Sequence, residues 1–144
     1  MAKWGKETTM IGIIVLGHDN FANGISGSLE MLLGKMENYE KVNYLQDDSL
    51  DDLAFKLAEA VKRLSSCSGF LFFADITGGT PFNTAIELKE HSSRPIEVIG
   101  GANIAAVLHG YMSRAKEGSL SVLAEECVAS EQSALHHFKE DDDD

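Results

Sequence analysis

Apolar residues fall along the chain in two alternating kinds of run. Met10-Ile-Gly-Ile-Ile-Val-Leu16, Gly69-Phe-Leu-Phe-Phe-Ala74 and Ile96-Glu-Val-Ile99 are short, and the first two are continuously apolar, the mark of strands covered on both faces. Val42 to Leu45 predicts a further strand, second in chain order. Between these runs the apolar spacing turns helical. Ile25, Leu29, Leu32, Leu33 and Met36 share one face; Leu50, Leu53, Leu57, Val61 and Leu64 a second; Ile104, Val107, Leu108, Tyr111 and Met112 a third. Ser49 with Asp52 three residues on predicts a capped helix start. Thr80-Pro81 predicts another, with Thr at the cap, Pro in the first position and the helix running to about Glu90. Leu120 opens a further helical stretch, whose end, Leu135 to Phe138, reads equally as helix or strand.

Strands alternating with helices predict an α/β fold: a doubly wound, mostly parallel sheet in the order 2-1-3-4, with helices on both faces and right-handed crossovers. The 144 residues suit one domain, expected over 10–138, with 1–9 and 139–144 as flexible ends. A hydrophobic share of 44% with 24% charged residues is globular composition, and no apolar run reaches the length of a membrane span. Met1 to Thr9 is too short and polar for a signal peptide, which predicts a cytoplasmic protein. Cys67 and Cys127 form no CxxC pair, so neither a disulfide framework nor zinc-ligand spacing is present. The net charge of -11 includes Glu140 and Asp141 to Asp144; without those five acids the body still carries about -6, which argues against nucleic acid as a partner.

Ligands of doubly wound sheets sit at the carboxyl ends of the strands, and three segments there carry chemistry: Gly17-His18-Asp19-Asn20, Asp75 to Asn83, and Gly100 to Asn103. In DITGGTPFN the two glycines permit a sharp turn close to a ligand, and the N–H groups near Gly79 and Thr80 stand at a helix start, where an anion is favoured. Asp75 follows an apolar strand and needs a partner. His18 is the obvious one if the first and third strands are neighbours, since their carboxyl ends then meet. An imidazole held at Nδ1 by a carboxylate presents Nε2 as a nucleophile, and a phosphoryl group over the cradle of Gly78, Gly79 and Thr80 is the natural electrophile. Phe21 and Phe82 are candidates for an apolar rim that receives a partner protein; Phe82 serves equally as a core residue. His136-His137 beside the acidic end carries no metal expectation, because adjacent residues point apart. No cofactor is expected.

Three motifs bear a family resemblance: GHDNFANGISGSLEMLLG after the first strand, FADITGGTPFN after the third and IGGANIAAVL after the fourth. Over Met10 to Phe138 the chain resembles the enzyme IIA domains of the mannose-type branch (mannose, fructose, sorbose, N-acetylgalactosamine) of the bacterial phosphoenolpyruvate:sugar phosphotransferase system. Two departures stand out: Ile104-Ala105-Ala106 where many members carry Leu-Pro or a bulkier apolar residue, and Ile76-Thr77 where relatives often have Leu and an aromatic residue. The resemblance implies a phosphotransferase in which His18 takes phosphate at Nε2 from the phosphocarrier HPr and passes it to enzyme IIB, for uptake of a mannose-type or N-acetylated hexose. It carries over Asp75 as the group orienting His18, and Gly78, Gly79 and Thr80 as donors around the phosphoryl group. It further implies contact with the membrane only through an enzyme IIC/IID transporter, and a homodimer exchanging an antiparallel C-terminal strand, here Leu135 to Phe138. A phosphocarrier subunit for dihydroxyacetone kinase, a noncatalytic module signalling through phosphorylated His18, and a flavodoxin-like binder are the alternatives. The identity of the sugar is open at this point.

Overall fold

The computed structural model describes residues 10–115, 119–129 and 134–140. Of the flexible ends expected over 1–9 and 139–144, residues 1–9 and 141–144 lie outside those residues. Strand β1 (Ile11–His18) is followed by α1 (Phe21–Leu33), β2 (Tyr39–Tyr44), α2 (Leu50–Arg63), β3 (Gly69–Ala74), α3 (Thr80–Glu90), β4 (Ile96–Ile99), α4 (Ile104–Ser113) and α5 (Leu120–Val128). The four strands form one sheet in the order β2-β1-β3-β4, and every pairing is parallel.

The continuous apolar runs are explained by the two covered faces. In β1, Ile13 and Val15 point to the layer of α1, α4 and α5, together with Leu71 and Phe73 of β3. Ile14 and Leu16 point the other way, with Phe70 and Phe72, onto α2 and α3. Period-2 alternation therefore survives in direction although not in polarity. Each fully buried Phe or Ile adds about 2 kcal/mol of transfer free energy. That burial is what fixes the register on which the site depends.

The edges of β3 and β4 coincide with the sequence expectation, and α2 begins in a capping box: Ser49 Oγ accepts the Asp52 N–H while Asp52 accepts the Ser49 N–H. Several expectations are corrected. Strand β2 starts at Tyr39 rather than Val42, because pairing with β1 extends over the mixed-polarity stretch Tyr39-Glu-Lys41. The cap of α3 is Gly79, with Thr80 first in the helix, one residue earlier than expected. Leu32 and Leu50 are exposed, and Met36 is buried beyond the end of α1. In α4 the buried positions are Ala106, Val107 and Gly110, whereas Met112 faces out. Leu135 to Phe138 has no regular structure in the single chain, and Leu135 and Phe138 are 93% and 63% exposed.

A clamp holds the amino-terminal end of the sheet. The Arg114 guanidinium, buried at the end of α4, donates to the carbonyls of Ile11 and Asn38 at 3.0 Å and to that of Glu37 at 2.6 Å, and lies 4.1 Å over the Tyr111 ring. Three carbonyls take the place of the carboxylate that a buried cation usually needs. Burial lowers the guanidinium's pKa. The Tyr111 hydroxyl in turn accepts the Glu37 N–H at 2.9 Å.

Candidate functional site

Because β1 and β3 are neighbours, their carboxyl ends bring His18 and Asp75 together, as the sequence reading expects. Asp75 Oδ2 accepts two hydrogen bonds from one residue: the His18 backbone N–H at 2.8 Å and its ring Nδ1 at 2.9 Å. A carboxylate only accepts, so Nδ1 is the donor, and in the neutral ring the lone pair is then on Nε2. The other oxygen, Oδ1, is buried without a hydrogen-bond partner among the described residues. The carboxylate is thus committed to His18. The imidazole is 44% exposed while the Asp75 side chain is 11% exposed, so a surface ring is held by a buried anchor. Gly17 makes this approach possible: a Cβ there would stand 2.8 Å from Asp75 Cγ and 2.6 Å from the Phe21 ring.

The loop 76–79 closes the third side. Gly79 lies against the imidazole, a Cβ at that position falling 3.3 Å from His18 Cε1. Gly78 takes the left-handed conformation at φ 81°, and its carbonyl accepts from Asn83 Nδ2 at 3.0 Å. The expected cradle needs one adjustment. The Gly79 N–H donates to the Ile76 carbonyl at 3.0 Å, a turn that the glycine pair folds, so it is already engaged. The first helical bond of α3 runs from the Asn83 N–H to the Gly79 carbonyl. Ahead of it, Thr80 and Phe82 carry the N–H groups with no acceptor within the helix, Pro81 having none. Their position beside an imidazole gives an anion the favourable end of the helix.

Phe21 and Phe82 stand next to the site but spend much of their surface on packing, Phe21 against the α1-side core and Phe82 against the α2/α3 side. The exposed apolar residue of the loop is Ile76. On the far side of the sheet order, Gly100 lets the β4 loop approach the site loop closely; a Cβ there would lie 2.3 Å from Thr77 Oγ1. Sequence reading missed Asn83 as a brace, although its place three residues after Thr80 marked it. It also missed Tyr44, which the register sets beside His18.

Other titratable clusters have local explanations. His91 Nδ1 lies 3.0 Å from the Glu87 carbonyl, and His109 Nε2 lies 3.1 Å from Glu126 Oε1. Both cysteines are buried, and burial pushes the Cys127 thiol up to about 12. Among the described residues no group of three or more His, Cys, Asp and Glu is arranged to hold a metal ion. No helix among them is long and apolar enough to cross a membrane. Two surface hollows, of about 440 and 350 Å³, flank α2, and His18 lines neither of them. The His18 imidazole is displayed on a surface.

Residues 12–127 match the family described as EIIA-man, PTS system fructose IIA component. The chain belongs to the EIIA-man family. Similar proteins include the mannose-specific EIIAB component of Escherichia coli, 30% identical over 132 residues, which are 90% of this chain and 40% of that protein. The fructose-specific EIIA component of Bacillus subtilis is 29% identical over 99 residues, 69% of this chain and 67% of that one. The chain therefore spans well under half the length of the E. coli relative and about two thirds of the B. subtilis one. A solved structure, phosphotransferase system component EIIA from Streptococcus agalactiae, superimposes with a TM-score of 0.82 at 28% identity, covering 90% of this chain and 98% of that one. The EIIA-man assignment agrees with the resemblance carried by the three motifs, and with the α/β sheet in the order 2-1-3-4.

Proposed function

We propose that this protein is a phosphoryl carrier that accepts phosphate on His18 Nε2 from HPr and hands it to enzyme IIB in the uptake of a mannose-type or N-acetylated hexose. The observation that carries this reading is the Nδ1 to Asp75 Oδ2 hydrogen bond at 2.9 Å, which leaves Nε2 basic on an exposed ring at the amino terminus of a helix. In the forward step the Nε2 lone pair attacks phosphorus as the nitrogen–phosphorus bond of the donor breaks opposite to it, and the Nδ1 proton stays on His18, shared with Asp75. The donor's imidazole leaves with the electron pair of the broken bond. The N–H groups of Thr80 and Phe82, with the turn made by Gly78 and Gly79, face the equatorial oxygens and offset their charge. Handing on the group is the same displacement with the roles reversed. The reaction needs no cofactor or metal.

Both partners are proteins, and an exposed imidazole rimmed by Ile76, with Phe21 and Phe82 half-buried beside it, suits brief docking of modest area. The carrier works in the cytoplasm and meets the membrane through the enzyme IIC/IID transporter. It works as a homodimer in which Leu135 to Phe138 crosses to the partner copy as an antiparallel strand; β4, paired only with β3 among the described strands, and the exposure of Leu135 and Phe138 support this.

Intact-protein mass spectrometry at neutral pH, after incubation with phosphoenolpyruvate, enzyme I and HPr, tests the reading on wild type and His18→Ala. One acid-labile phosphoryl adduct on wild type alone is the expected result. An equal adduct on folded His18→Ala, or none on wild type, overturns the assignment. Adding enzyme IIB or dihydroxyacetone kinase then separates sugar transport from the kinase-serving role.

A further inference from the structure

A single hydrogen bond fixes one atom of a ring and leaves the ring plane free to swing about it. His18 is anchored at Nδ1 from the β3 side, so the direction of Nε2 needs a second constraint. The β2 side supplies one. Tyr44, the last residue of β2, pairs in register with His18, and their ring centroids lie 5.9 Å apart at an interplanar angle of 63°. Tyr44 is itself seated against the α2/α3-side core, so its ring is a fixed wall. Its backbone contributes as well: the Tyr44 carbonyl accepts the Asp19 N–H at 2.8 Å. Asp19 has φ 53°, a left-handed conformation that turns the chain out of β1 directly after His18. The imidazole is therefore bounded by the carboxylate that follows β3, the backbone of Gly79 and an aromatic ring from β2.

We propose that Tyr44 is a positioning residue for phosphoryl transfer: its ring sets the plane of the His18 imidazole and so the line along which Nε2 meets phosphorus. An inclined aromatic pair of this separation is a favourable arrangement, and in-line displacement is sensitive to the approach direction. The ring carries the effect and the hydroxyl does not. This inference rests on the phosphoryl-carrier reading.

Tyr44→Phe and Tyr44→Leu, each confirmed as folded, test it by two readouts. One is the rate at which phospho-HPr labels the protein. The other is the nuclear magnetic resonance spectrum of the His18 ring in unphosphorylated protein, which reports ring environment without any transfer. Tyr44→Phe is expected to match wild type within about twofold. Tyr44→Leu is expected to slow labelling by between about twofold and tenfold, the range of one aromatic pair, and to shift the His18 carbon-bound proton signals. If Tyr44→Leu does not fold, Tyr44→Val, suited to a strand end, takes its place. Wild-type rates with unmoved His18 signals in the Leu or Val variant overturn the inference, and so does an equal loss in Tyr44→Phe. Absence of labelling in wild type overturns the carrier reading instead, and the His18 spectrum still decides whether Tyr44 holds the ring.

Discussion

His18 gives both its backbone N–H and its ring Nδ1–H to the same oxygen of Asp75, at 2.8 and 2.9 Å. One atom thereby fixes the end of β1 and the tautomer of the residue that ends it. Strand geometry and ring chemistry are tied at a single point.

Replacing Asp75 with Asn loosens that point. The amide offers one weaker acceptor and one donor, and the donor, if turned to His18, faces two N–H groups. Phosphoryl acceptance in Asp75→Asn is expected to fall by about ten- to a hundredfold, the worth of a charge-assisted hydrogen bond, with the fold retained. Stopped-time labelling by phospho-HPr, alongside circular dichroism, checks this. Unchanged kinetics would remove Asp75 from the mechanism.

Stability at alkaline pH should be limited by buried acids, chiefly Tyr39 and Cys127, with the Cys67 thiol raised by burial in the same direction. Burial raises the Tyr39 hydroxyl to about 12, the hydrogen bond to Ser26 opposing this, and it raises the Cys127 thiol to about 12, helped by Glu126. Between the ordinary values, about 9 for the thiol and 10 for the phenol, and the folded values near 12, the native state keeps protons that the unfolded state has released. Stability is then full below about pH 9 and falls as pH rises toward 12. Urea midpoints at stepped pH values should show this fall, and Cys127→Ala should soften its first part. A flat profile from pH 8 to 11.5 would contradict the burial of both groups.

Arg114→Met removes the cation and leaves the carbonyls of Ile11, Glu37 and Asn38 to find other donors. A loss of about 3 kcal/mol in the free energy of unfolding is expected. Labelling of His18 should be unaffected, because β1 places six residues, about 23 Å of strand from end to end, between Ile11 and His18. A loss under about 0.5 kcal/mol by urea titration would show that the clamp is dispensable.

The sequence made the site more legible than the helices around it. His18, Asp75 and the glycine pair are short-range features at strand ends, and parallel neighbours alone bring them together. The helix faces were harder to read because close packing on the sheet favours small residues. A Cβ at Gly110 would stand 2.8 Å from the Phe73 ring, so α4 lies too close to β3 for a large residue there, and the apolar Met112 is left outside. In α1, Ala22 and Ser26 share the buried face with Leu29, Ser26 satisfying its hydroxyl against Tyr39 at 2.8 Å. Counting large apolar residues at helical spacing misses such a face. Tyr44 and Arg114 had no local signal: the role of each comes from a residue far along the chain, His18 for one and Ile11 for the other.

The contrast between an open imidazole and its covered carboxylate divides labour inside the site. The buried half is permanent equipment, and the exposed half is common ground. On the carrier reading proposed above, a donor and an acceptor can each use the ring by reaching the same exposed edge, without either having to enter the fold. Water reaches that edge as well, so on the same reading the phosphorylated form is open to hydrolysis while it waits. The speed of hand-over, more than any shelter within the fold, would then govern how much phosphate is delivered.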